Sequence, residues 1–201
     1  MKPRLIVEQK ITAFVNRYEI YRAAEDGTKT DMIAFAEQKR MAFKEKVNFF
    51  TDASKNTLAF SFRAEKVMDI HGKFFVEDAE NNKVGAFKKE FKKSLLNSTW
   101  NILGANDSVV LTVSESNQAL AIIRRFIGWI PLVGELFETA TNFIKYHFSF
   151  YDPSGAEVGA YRKMTLFRDH YTLSLDDVTY AAQDWRVLAS MAVALDALQT
   201  R

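Results

Sequence analysis

Apolar and polar residues alternate along most of this chain. Leu58, Phe60 and Phe62 are separated by Ala59 and Ser61, and Tyr146, Phe148 and Phe150 by His147 and Ser149. Period two marks a strand with one buried face. The alternating runs come in pairs joined by short acidic or Asn-containing turns. Tyr18–Tyr21 leads to Asp26-Gly27, and Val47–Phe50 leads to Asp52 and Lys55-Asn56 before Leu58–Phe62. Lys73–Val76 leads to Asp78 and Asn81-Asn82 before Val84–Phe87. Thr99–Ile102 leads to Asn106-Asp107 before Val109–Leu111, and Tyr146–Phe150 leads to Asp152 and Ser154-Gly155 before Val158–Tyr161. Such turn residues tolerate the left-handed backbone of tight hairpins. The pattern predicts a meander of hairpins of roughly 25 residues each. It amounts to about ten to twelve strands, which close more readily than they stay flat.

The period changes twice. From Asn117 to about Ile144 the chain reads as a helical insert. Residues 120–130 place Arg124 and Arg125 on one side and Leu120, Ile123, Phe126, Ile127, Trp129 and Ile130 on the other, an amphipathic helix. Pro131 ends it, since the residue before proline avoids helical geometry. At the C-terminus, DWRVLASMAVALDAL (residues 184–198) has neither Gly nor Pro. Trp185, Leu188, Met191 and Leu195 are interleaved with Val187, Val193 and four alanines, so every side of the predicted helix is apolar. A helix apolar all round is buried all round. At roughly 21 Å it is too short for a bilayer core of about 30 Å. The expectation is a helix threaded through a closed sheet and capped by Asp184.

Composition adds bounds. Seventeen Phe among 201 residues favour strands. A net charge of +2 gives no global case for nucleic acid, and none is expected as a partner. Cysteine is absent, which removes disulfides, thiol chemistry and Cys-based metal sites and suits a reducing compartment. The opening MKPRLIVEQK does not read as a signal peptide. The expected location is cytoplasmic and peripheral to a membrane.

Hairpin repeats ending in an apolar helix resemble the superfamily of the Tubby C-terminal domain, the LURP-one-related proteins and the phospholipid scramblases. Three stretches carry the likeness: FFVEDAENNKVGAFKK echoed by FSFYDPSGAEVGAYRK, then RDHYTLSLDD, then WRVLASMAVALDAL with its late Asp196. The resemblance covers residues from about 15 to 198 without the insert. It implies one domain over residues 1–201: a mainly β fold, a closed antiparallel barrel of about twelve strands around the terminal helix. It also implies a non-enzymatic binding or scaffold protein, with phospholipid head groups or a protein as partner. A lipid-translocating scramblase is the alternative, and an enzyme of unknown class comes third.

Candidate chemistry is sparse. His71, His147 and His170 form no metal-binding or catalytic spacing, and no nucleophile elbow or phosphate loop is present. No catalytic residue, metal or cofactor is expected. Lys83, Lys88, Lys89, Lys92 and Lys93 form a basic run opposed only by Glu90. With Arg124 and Arg125, residues Lys88, Lys89, Lys92 and Lys93 are the candidate lipid-phosphate contacts. The plainer reading of the run is a solvated strand end. Phe126, Trp129 and Ile130 either pack on the barrel or meet a membrane. Asp176, Asp177 and Asp184 fall where scramblases carry a calcium segment, but the alternating oxygen spacing and final Glu of an EF-hand loop are missing, so capping and turn roles are expected.

Overall fold

The computed structural model describes residues 1–11, 15–39, 46–65, 72–90, 98–104, 106–115, 147–165 and 169–197. Twelve strands form one closed barrel in which each strand pairs with its sequence neighbour and β12 returns to β1. They are β1 (Lys2–Ile11), β2 (Val15–Ala23), β3 (Lys29–Lys39), β4 (Lys46–Phe50), β5 (Leu58–Ala64) and β6 (Lys73–Asp78). The second half is β7 (Lys83–Lys89), β8 (Thr99–Leu103), β9 (Val109–Glu115), β10 (His147–Tyr151), β11 (Glu157–Lys163) and β12 (Asp169–Leu175). Two helices follow, α1 (Asp177–Ala182) and α2 (Trp185–Ala197). Closure leaves no free sheet edge.

Five hairpins share one turn chemistry. In each, a backbone N–H donates to the carbonyl three residues back: Gly27 to Ala24, Lys55 to Asp52, Asn81 to Asp78, Asp107 to Gly104 and Gly155 to Asp152. Those five donors all have positive φ, between 60° and 86°. This is a type I turn followed by a left-handed residue, and the extra residue displaces the register of each flanking ladder. Asp side chains reinforce the turns. Asp152 accepts from the backbone N–H groups of Ser154 and Ala156, both at 2.9 Å, and Asp78 accepts from Asn82 N at 2.7 Å.

The barrel is filled by α2. Leu188, Met191 and Leu195 are wholly buried, and Trp185 packs half-buried at the helix entrance, edge-on to Phe60 with ring centroids 5.3 Å apart. Inward aromatic rings line β4 to β8, with Phe49 stacked on Phe60 at 4.2 Å and Phe74 on Phe87 at 5.3 Å. Val187 lies against Gly85 of β7 so closely that any Cβ on that glycine would overlap it. Glycine is required there by the approach of the helix, not by a turn.

The link before the central helix is itself helical. Asp176 caps α1, accepting from Thr179 N at 2.7 Å. Asp184 opens α2 by accepting from Arg186 N at 2.8 Å. Asp177 pairs with Arg4 and Lys2. These three acids therefore serve as caps and ion-pair partners, and among the described residues no group of His, Cys, Asp and Glu is arranged to hold a metal ion. The helical insert at 117–144 lies outside the described residues.

Candidate functional site

An up-and-down barrel sends its connections alternately to two ends. The five tight turns, the start of α2 and all of α1 lie at one end. At the other, β1, β3, β5, β7, β9 and β11 finish, β2, β4, β6, β8, β10 and β12 begin, and α2 ends. Charge divides between these ends in a way that the net value of +2 conceals.

The turn end is rich in acids, and four of its turn carboxylates are occupied. Asp26, Asp52, Asp78 and Asp152 each accept backbone N–H groups of their own turns. Hydrogen bonds from Thr28 and Asn82 backbone and from Ser54 and Ser154 hydroxyls hold these carboxyls below their ordinary range. Desolvation alone would raise Asp184, but hydrogen bonds and charge from Arg186 outweigh it and lower the carboxyl.

The opposite end is basic. Lys46 and Arg162 are exposed there and make no ion pair among the described residues. The basic run read from the sequence does not form one patch. Lys83 starts β7 and Lys89 finishes it, six residues or about 20 Å apart along the strand. Lys83 shares Asp107 with Lys73 and lies 4.9 Å from the centre of the Phe75 ring. Lys88 points outward and pairs with Glu90 at 2.9 Å, and Glu90 also accepts from Asn101 Nδ2 at 2.8 Å. Lys89 shares the inward face of Phe87. Its ammonium lies 5.5 Å from the centre of the Trp100 ring, and Trp100 is its direct partner on β8. Desolvation pushes the Lys89 ammonium below the ordinary lysine value. Lys92, Lys93, Arg124, Arg125, Phe126, Trp129 and Ile130 lie outside the described residues.

The inner rim of this end also holds an acid. Asp196, in the last turn of α2, is 4% exposed. Both burial and the negative end of the helix dipole oppose a carboxylate there. Tyr18 and Gln9 each donate to Asp196 Oδ2 at 2.6 Å, and Asp196 has further partners. Burial and the Asp196 charge push the Tyr18 phenol well above its ordinary value. This network ties the last turn of α2 to β1 and β2. Asp196 is legible in the sequence only through the family likeness. Gln9 and Tyr18 escaped notice because period two marks a face as inward without saying what converges on it.

His170 stands on β12 with its Nδ1 3.5 Å from Glu8 Oε1, a cross-strand pair on the outer surface. A barrel filled by its own helix is unlike a ligand-holding cup, and the chemistry available at the basic end is the binding of anions.

These features define a helix-filled, closed antiparallel barrel with one acidic and one basic end. The family model for LURP-one-related proteins matches residues 32–196, and the chain belongs to that family. A comparison with the curated proteins finds no match. Among the described residues no helix is long and apolar enough to cross a membrane.

Proposed function

We propose that this LURP-one-related barrel is a non-enzymatic binding module whose basic end contacts anionic phospholipid head groups at a membrane surface. The single observation behind this reading is the separation of charge between the two ends. Asp26, Asp52, Asp78 and Asp152 at the turn end are engaged by their own turns, whereas Lys46, Arg162 and Lys89 at the other end have no carboxylate partner among the described residues. Each Lys or Arg near an anionic surface contributes about 1 kcal/mol. Several together support reversible docking that salt should weaken, because the screening length falls from about 10 Å at 0.1 M to about 3 Å at 1 M.

Vesicle co-sedimentation tests this. The protein should pellet with phosphatidylcholine vesicles containing an anionic phospholipid, and not with phosphatidylcholine alone. High salt should release it. Equal recovery with both vesicle types would overturn the reading. Calcium-stimulated lipid exchange in reconstituted vesicles would point instead to the scramblase alternative.

A further inference from the structure

The ladders that close the barrel are unequal. Between β3 and β4, Phe35 pairs with Phe50 and Ala36 with Phe49, and no other residues pair among those described. The shortest of the remaining ladders, β7–β8 and β9–β10, each join four residues of one strand to the next. Strand length does not explain the gap. β3 stays paired to β2 as far as Lys39 with Val15, and β4 to β5 as far as Lys46 with Arg63. Both flanking ladders therefore run on towards the basic end. Across the junction itself, Glu37, Gln38 and Lys39 have no register partner among Lys46, Val47 and Asn48.

Side-chain packing is also light on the β3 side. The inward residues from Ala34 to Gln38 are Ala34, Ala36 and Gln38, whereas β4 to β8 carry Phe49, Phe60, Phe62, Phe74, Phe87 and Trp100. The helix α2 is anchored on either side of the junction but not at it. Its start packs on β5 and β7, through Trp185 against Phe60 and Val187 against Gly85. Its last turn is tied to β1 and β2 through Gln9, Tyr18 and Asp196. Outside the barrel, Lys55 of the β4–β5 turn reaches across to Glu37 of β3 at 3.2 Å. Glu37 also accepts from Arg17 of β2 at 3.0 Å. Both bonds to Glu37 are at the surface, where ion pairs contribute little and salt screens them.

We infer that the β3–β4 junction is a seam at which the folded barrel opens while its other ladders hold. Proteins open first where few backbone hydrogen bonds and few buried apolar contacts must be given up. Parting β3 from β4 breaks the shortest ladder, and on the β3 side it uncovers alanines rather than rings. Parting β8 from β9 instead would break a five-residue ladder and uncover Trp100 and Val113, both wholly buried. In the opened form β3 remains on β2 and β4 on β5, so every strand keeps one partner. The seam gives the interior a lateral entrance that requires no unfolding of the barrel. It stands apart from the membrane reading above, which concerns charge at one end.

Thiol trapping in the full chain tests this, since no native cysteine competes. Ala36 and Val113 are both wholly buried and inward, one at the seam and the other in the β8–β9 ladder. Ala36→Cys and Val113→Cys proteins are mixed with an aromatic disulfide reagent in native buffer. Each rate is corrected for the variant's global stability, measured by urea denaturation. The thiol at residue 36 should react at least tenfold faster than the thiol at residue 113. Adding Glu37→Gln to each should speed residue 36 by about twofold to fivefold and leave residue 113 unchanged. Should either cysteine variant fail to fold, hydrogen exchange of the unmodified chain gives a second reading by mass spectrometry. Residues 35–39 and 46–50 should then exchange faster than residues 99–103 and 109–115. Equal thiol reactivity at the two positions overturns the inference. So does exchange in β3 and β4 no faster than in β8 and β9.

Discussion

The two ends of the barrel are built from the same strands yet use charge in opposite ways. At the turn end an acid recurs because four of the five hairpins use one: Asp26, Asp52, Asp78 and Asp152 hold backbone N–H groups in place, and the uncharged Asn106 does the same for Ser108. Their negative charge is a by-product of turn chemistry. At the basic end no such geometric demand exists. Lys89 is partly desolvated without a carboxylate partner among the described residues. Groups placed at a cost with no local structural need are where function is sought.

The helix shared by both ends gives the largest expected effect. Leu195 is wholly buried in α2, so Leu195→Asp places a charge in the core at a cost of several kcal/mol and should abolish cooperative unfolding. Soluble Leu195→Asp protein with an unchanged melting temperature would mean that the barrel does not depend on its helix. Next comes the polar anchor at the basic end. Tyr18→Phe removes one of the donors to Asp196 and should lower stability by about 1–3 kcal/mol, measured by urea denaturation.

Much of the fold was legible in the sequence, because it rests on local rules. Alternation such as Leu58, Phe60, Phe62 fixed the strand faces, Asp and Gly marked the turns, and a helix with no polar side had to be enclosed. The short helix α1 was missed, although Asp176 three residues before Thr179 is an N-cap spacing that could have revealed it. The candidate site was far less legible. Lys88 and Lys89 are adjacent in sequence, but strand pleating sends one outward to Glu90 and the other inward to Trp100. Lys83 belongs with Asp107 because a strand carries it to the other end. Pairings across strands decide these environments, and the chain does not write them locally.

Two smaller effects sharpen the contrast between the ends. At the turn end, Asp152→Ala should lower the melting temperature by less than Tyr18→Phe does. The effect should depend on pH. The Asp152 carboxyl is held below its ordinary value, so the folded state binds fewer protons in acid. The stabilisation is present above the unfolded carboxyl value of about 4 and is lost as pH falls through the folded one. The gap between wild type and Asp152→Ala should therefore close in acid, as calorimetry at a series of pH values would reveal. At the basic end the contribution is unfavourable instead, although it too improves as pH rises. The Lys89 ammonium is depressed by desolvation, so its charge disfavours folding at neutral pH, and the penalty fades as pH rises through the folded value. Without ligand, Lys89→Met should leave thermal stability unchanged or slightly raised. A clear loss would make Lys89 a structural residue.

Whether the basic end meets a membrane can be measured directly, because the chain contains no cysteine and a single introduced thiol labels without background. Met164, 57% exposed just beyond Lys163, reports the basic end, and Ala53, exposed in the β4–β5 turn, reports the other. Met164→Cys and Ala53→Cys proteins would carry an environment-sensitive fluorophore and be mixed with anionic vesicles containing a bilayer-embedded quencher. Docking through the basic end should give a blue shift and quenching of the label at residue 164, with the label at residue 53 unchanged. Quenching at residue 53, or none at either position despite vesicle binding, would contradict it.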